Sequence, residues 1–131
     1  MTMTPEERRQ LVAIRLDNAR GTLADAETLT AHGRLRSALN RAYYAMFYAV
    51  SALAISRGES HRKHTQLIAF FQREYVRPGT IERRHGRALQ KAFEDRSEAD
   101  YQDFLRFTGE DVERRIGEAR EFVTAVAGLL S

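Results

Sequence analysis

The sequence predicts an all-α fold, an up-and-down antiparallel bundle of about five helices. Three observations carry this. Apolar residues recur at spacings of three and four along most of the chain, and helix-start signals stand at several of the expected beginnings. No run of alternating β-branched residues bounded by turn residues argues for a strand. With 131 residues, 43% hydrophobic and 30% charged, the chain has the size of one domain over 1–131 and can bury one modest core.

The first helix is expected from Thr4-Pro5-Glu6-Glu7, where Thr is the N-cap, Pro stands at N1 and Glu at N3 closes a capping box. Leu16, Ala19, Leu23 and Ala26 form its buried stripe, Arg15, Asp17, Asp25 and Glu27 its wet face, and His32-Gly33 its stop. From Arg34 to Arg57, apolar residues fill more than one face, so this second helix is central. Ala38, Ala42, Ala45, Ala49 and Ala52 permit close neighbours, and Gly58 supplies the C′ position.

A third helix is expected over Lys63–Val76 with Leu67, Ile68, Phe71 and Tyr75 inward, ended by Arg77-Pro78-Gly79. Thr80 is the expected cap of a fourth, with Ile81, Ala88, Leu89, Ala92 and Phe93 buried and Arg83, Arg84, Arg87 and Lys91 forming a basic outer face. Asp95 to Phe107 lacks a sustained period and reads as a connector. Thr108-Gly-Glu-Asp111 opens the last helix, whose stripe is Val112, Ile116, Ala119, Val123, Val126 and Ala127.

Cysteine is absent, which excludes disulfides, thiolate catalysis and sulfur-ligated zinc. The longest apolar stretch, Ala42 to Ile55, is interrupted by Ser51 and falls short of the roughly 20 residues that span a bilayer. The N-terminus lacks a basic segment followed by an apolar one, so a cytoplasmic protein without a membrane partner is expected. The net charge of +3 is unevenly spread. Residues 1–56 carry 7 basic and 5 acidic groups, 57–96 carry 10 and 5, and 97–131 carry 4 and 8. The basic middle third suits phosphate or an acidic partner, or else is a solvated pair of helices.

Three blocks hold side chains that burial alone explains poorly. Asn40 to Tyr48 places Arg41 beside Tyr44 and Tyr48 on the most apolar helix, while Tyr43, Met46 and Phe47 read as core. Ser60-His61-Arg62-Lys63-His64 is basic and opens a helix, where backbone N–H groups favour anions. Asp95-Arg96-Ser97-Glu98-Ala99-Asp100-Tyr101 lies in the weakly periodic segment. His61 and His64 could face one metal, but Arg62 and Lys63 separate them and only Glu59 is near in sequence; no metal or cofactor is expected.

Taken in order, the blocks resemble the HEPN family, more closely its small free-standing prokaryotic branch. The matching pieces are Arg41-Ala-Tyr-Tyr-Ala-Met-Phe-Tyr, Lys63-His64 with Leu67-Ile68-Ala69-Phe70-Phe71, and Arg96-Ser-Glu-Ala-Asp100-Tyr101. The resemblance implies a helical bundle, usually a homodimer whose copies join their polar motifs in one cleft. It further implies a toxin paired with a minimal nucleotidyltransferase antitoxin, the toxin being a metal-independent ribonuclease.

The family's catalytic pattern is an Arg, four to six residues, then a His, often with a Tyr shortly after. Arg96 occupies the place of that Arg, but Asp100 and Tyr101 follow and no His occurs after His85. Arg96, Asp100 and Tyr101 are therefore the catalytic candidates, with Arg41, Tyr44, Lys63 and His64 as binding candidates. Tyr101 is also the positional candidate for the tyrosine that an active antitoxin modifies with AMP. Arg57 and His64 satisfy the Arg-to-His spacing too, though about as many such pairs arise by chance among 19 Arg and four His.

Two other readings stand beside the RNA-directed toxin. One is a non-catalytic module that binds a nucleotide or the nucleotidyltransferase in the same cleft. The other is a structural helical adaptor.

Overall fold

The computed structural model describes residues 3–101 and 107–131, with side chains described outside 98–101. Five α-helices follow one another: α1 (Pro5–Ala31), α2 (Leu35–Ser56), α3 (His64–Phe71), α4 (Arg83–Tyr101) and α5 (Gly109–Leu130). A π-helical turn, Gln72–Val76, extends α3. No strand occurs among the described residues.

The first and last starts are set locally, by matching capping boxes. Thr4 Oγ1 accepts from the Glu7 N–H at 3.1 Å while Glu7 Oε1 accepts from the Thr4 N–H at 3.0 Å. Thr108 and Asp111 repeat the exchange at the head of α5, with both distances 3.1 Å. Each cap satisfies N–H groups that the helix leaves without partners and is worth about 1 kcal/mol. Gly33 and Gly58 stop α1 and α2 with φ of +73° and +74°, a conformation that a Cβ disfavours.

α2 runs through the middle, packed on α1, α3, α4 and α5. Its Ala38, Ala42, Ala45, Ala49 and Ala52 are at most 1% exposed, so neighbouring backbones approach closely. Bulk enters from the other helices, as where the Phe71 and Phe122 rings meet at 5.0 Å. Phe70, Phe122 and His85 are also buried, beyond the expected stripes.

Three expected boundaries are corrected. The helix expected over Lys63–Val76 is α-helical only from His64 to Phe71, then widens, the Arg77 N–H donating to the Gln72 carbonyl five residues back. In the widened turn Gln72 donates from Nε2 to the Gly86 carbonyl, tying it to α4. Thr80 does not cap α4, which starts at Arg83, because buried Ile81 first folds back to donate its N–H to the Tyr75 carbonyl. The connector expected from Asp95 is helical through Tyr101.

The last correction has an electrostatic cause. Asp95 is 4% exposed, accepting from Arg115 Nε at 2.7 Å and standing 3.1 Å from Lys91 Nζ. An inward-facing carboxylate therefore occupies a place where the helical period calls for an apolar side chain. The basic face of α4 is likewise part neutralised, Arg84 by Glu82 and Glu121, Lys91 by Asp95. No helix among the described residues is long and apolar enough to cross a membrane.

Candidate functional site

Two aromatic side chains on α2, Tyr43 and Tyr44, join polar groups from two distant parts of the chain. Tyr43 is fully buried, its hydroxyl 2.8 Å from Nδ1 of His64, the first residue of α3. Tyr44 is half-buried, and its hydroxyl accepts from Arg96 Nη2 at 3.3 Å. The Arg96 guanidinium lies 5.5 Å from the Tyr44 ring centre and 5.9 Å from that of Tyr43. His64 stacks on Phe47 at 4.2 Å and meets Tyr44 edge-on at 5.6 Å.

The order of these side chains follows from helical geometry. Tyr43 and Phe47, four residues apart, share one face of α2 and bracket His64. Tyr44, one position on, is turned toward the cation side, where Arg41 also lies 5.0 Å from its ring. Arg41 is held there by Asn40, whose Oδ1 accepts from Nε and Nη2 at 3.1 and 2.8 Å.

Burial, and then the Arg96 charge, lower the His64 pKa below its ordinary value near 6.5. His64 is therefore neutral at pH 7. Burial also raises the Tyr43 phenol, with Tyr44 adding and Arg96 opposing, so Tyr43 stays protonated. Either the phenol donates to Nδ1, placing the imidazole proton on Nε2, or Nδ1–H donates to the phenol oxygen and leaves Nε2 a free lone pair. The second form is the one a general base requires.

Of the residues expected from sequence, Arg96, Tyr44, His64 and Arg41 are brought together. Lys63 stands next to His64 as the N-cap residue of α3, exposed and without a side-chain capping bond. Asp100 and Tyr101 lie on the last turn of α4, and their side chains fall outside the described residues. Arg57, the spacing-based alternative partner of His64, is instead drawn to Glu74 at 3.4 Å and lies over the Phe70 and Tyr75 rings.

His61 and His64 do not share a ligand position. His61 contacts Glu59 and the Phe70 ring, whereas His64 faces Tyr43 and Phe47. Among the described residues, no three His, Asp or Glu gather as a metal site. Sequence reasoning assigned Tyr43 and Phe47 to the core alone. The signal for Tyr43 was available, because a buried phenol needs a hydrogen-bond partner and the central helix offers none.

A family model described as HEPN domain matches residues 12–129. The chain belongs to the HEPN family. It is 37% identical to a UPF0332 protein of Thermotoga maritima over 124 residues, covering 95% of this chain and 94% of that one. It is 34% identical to "Putative toxin MJ0605" of Methanocaldococcus jannaschii over 121 residues, covering 92% and 87%. In this HEPN chain, the three blocks that carried the family resemblance converge through α2, α3 and α4 on the Tyr43–Tyr44 pair.

Proposed function

We propose that this HEPN protein is the toxin of a toxin–antitoxin pair and cleaves RNA without a metal ion. The observation that carries the proposal is the meeting of His64 and Arg96 across Tyr43 and Tyr44. A neutral imidazole and a fixed cation are the two parts that ribose-assisted phosphodiester cleavage demands. Similarity to a protein named as a toxin supports the biological role.

In the proposed reaction, His64 Nε2 takes the proton of a ribose 2′-OH as its oxygen bonds to the adjacent phosphorus. The bond from phosphorus to the 5′-oxygen breaks, that oxygen takes a proton from water, and His64 gives its proton back to the solvent hydroxide so formed. Products are a 2′,3′-cyclic phosphate and a 5′-hydroxyl end. Arg96 stabilises the extra negative charge on the phosphate, with Arg41 and Lys63 guiding the strand; Asp100 and Tyr101 follow on the last turn of α4. Two copies join their sites in a homodimer cleft. A nucleotidyltransferase antitoxin neutralises the toxin by adding AMP to Tyr101, which puts a bulky anion on the helical turn that follows Arg96.

A second reading, a non-catalytic module that binds a nucleotide or the nucleotidyltransferase, is favoured by Asp100 and Tyr101 standing where the family pattern has His. Induced expression of wild type, Arg96→Ala and His64→Gln in a bacterium separates the two. Growth arrest with RNA loss, abolished in both variants while circular dichroism stays unchanged, is the expected result. Normal growth and intact RNA at good soluble yield of the wild type would reject the nuclease and favour the binding module.

A further inference from the structure

Phe47, whose ring stacks on His64, also walls a cavity of about 530 Å³. The opposite sides come from Arg8 and Arg15 of α1 and from the turn Gly58–His61 after α2. Arg15, expected on the wet face of its helix, is half-buried here. The volume lies within the range of about 300–1,000 Å³ typical of small-molecule sites.

The charge in this cavity is incompletely paired. Arg8 Nε and His61 Nε2 are both sealed from solvent with no hydrogen-bond partner among the described residues. Among the described residues the one carboxylate on the wall, Glu59, stands 3.5 Å from His61 Nε2 without hydrogen-bond geometry and is shared with Arg57 at 4.0 Å. Gly58, at φ +74°, carries the turn close over Arg8: an added Cβ would sit 3.5 Å from Arg8 Nη2. Arg8 and Arg15 thus both line a cavity whose one carboxylate among the described residues, Glu59, lies near His61 and Arg57.

Arginine recognises phosphate through paired N–H donors, and such charge-assisted bonds are the strong ones. Phe47, Leu11, Ile55 and Leu67 supply an apolar wall, beside the hydroxyl-bearing Ser51 and Ser60. We propose that this cavity binds a small organic phosphate of mononucleotide size, with its phosphate on Arg8 and Arg15 and its apolar part against Phe47. The site is separate from the His64–Arg96 pair and does not rest on the cleavage reading. Phe47 is common to both, so occupancy reaches the imidazole through one ring.

The test is a ¹H–¹⁵N NMR titration of the full chain with AMP and UMP, against adenosine and inorganic phosphate. Saturable shifts at Gly58 and Ser60 with at least one nucleotide are expected, accompanied by movement of the His64 ring signals. Adenosine and inorganic phosphate should each bind at least about tenfold more weakly. Arg8→Gln and Arg15→Gln, each with unchanged circular dichroism, should weaken nucleotide binding by about tenfold, and Arg96→Ala should leave it unaltered. Failure of both nucleotides to saturate the site, or binding indifferent to Arg8 and Arg15, overturns the proposal. Binding lost in Arg96→Ala would place the nucleotide at the other site and overturn it equally.

Discussion

Replacing Asp95 with Ala tests what holds α4 in the position that presents Arg96. Asp95 is 4% exposed and bonds Arg115 at 2.7 Å, whose side chain is itself only 17% exposed. Removing one member of a buried ion pair costs about 3–5 kcal/mol, because the other charge stays desolvated. Two features reduce that here. Arg115 keeps Glu118 at 2.7 Å, and the half-exposed Lys91 contributes no more than about 1 kcal/mol.

The expected loss is therefore about 2–3 kcal/mol, or a fall in Tm of roughly 5–15 °C. Urea denaturation followed by circular dichroism measures it, and a double-mutant cycle with Arg115→Met isolates the pair. The double variant should recover part of the loss, since both charges then leave the interior together. A loss under about 0.5 kcal/mol, or strict additivity of the two single changes, would refute the claim that this pair anchors α4 to α5.

Tyr43→Phe removes the hydroxyl that bonds His64 and should cost about 1–2 kcal/mol in urea denaturation, with the His64 ring signals shifted in NMR spectra; an unmoved ring would mean the bond does not position it. Gly86→Ala should destabilise by about 1–3 kcal/mol although Ala is the better helix former. Its Cβ would stand 2.5 Å from Gln72 Oε1 and 3.0 Å from Val76 Cγ2; a more stable variant would contradict that crowding. His64 and His85 both have pKa values lowered first by burial. The unfolded chain then binds protons more readily, so their contribution is present above the ordinary value near 6.5 and lost as pH falls through the folded pKa values. Urea midpoints should drop on acidification below that value, and less so in His85→Leu; equal drops in the two proteins would remove His85 from the account.

Much of the fold is determined by local rules that a sequence carries openly. Thr4-Pro5-Glu6-Glu7 and Thr108-Gly-Glu-Asp111 specify their helix starts because a capping box closes within four residues. Gly33 and Gly58 mark stops because their backbone conformation excludes most other residues. The alanine-rich stripe of the second helix identifies the bundle's centre, since close packing needs small side chains.

Other features depend on what is distant in the chain. Asp95 breaks the apolar period where α4 continues, because its partner Arg115 lies 20 residues away. The third helix widens where Gln72 reaches Gly86. Thr80 has the chemistry of a cap, yet Ile81 is required first against Tyr75. At Arg96, a motif that looks for Arg and His in one short segment finds no His. The structure instead brings His64 from the start of another helix, 32 positions earlier in the sequence, to the same pair of tyrosines. The sequence by itself determined the helices, their order and the residues unsuited to a plain core; tertiary packing alone decided which of those residues meet, because helices separated in sequence share a face only once they fold together.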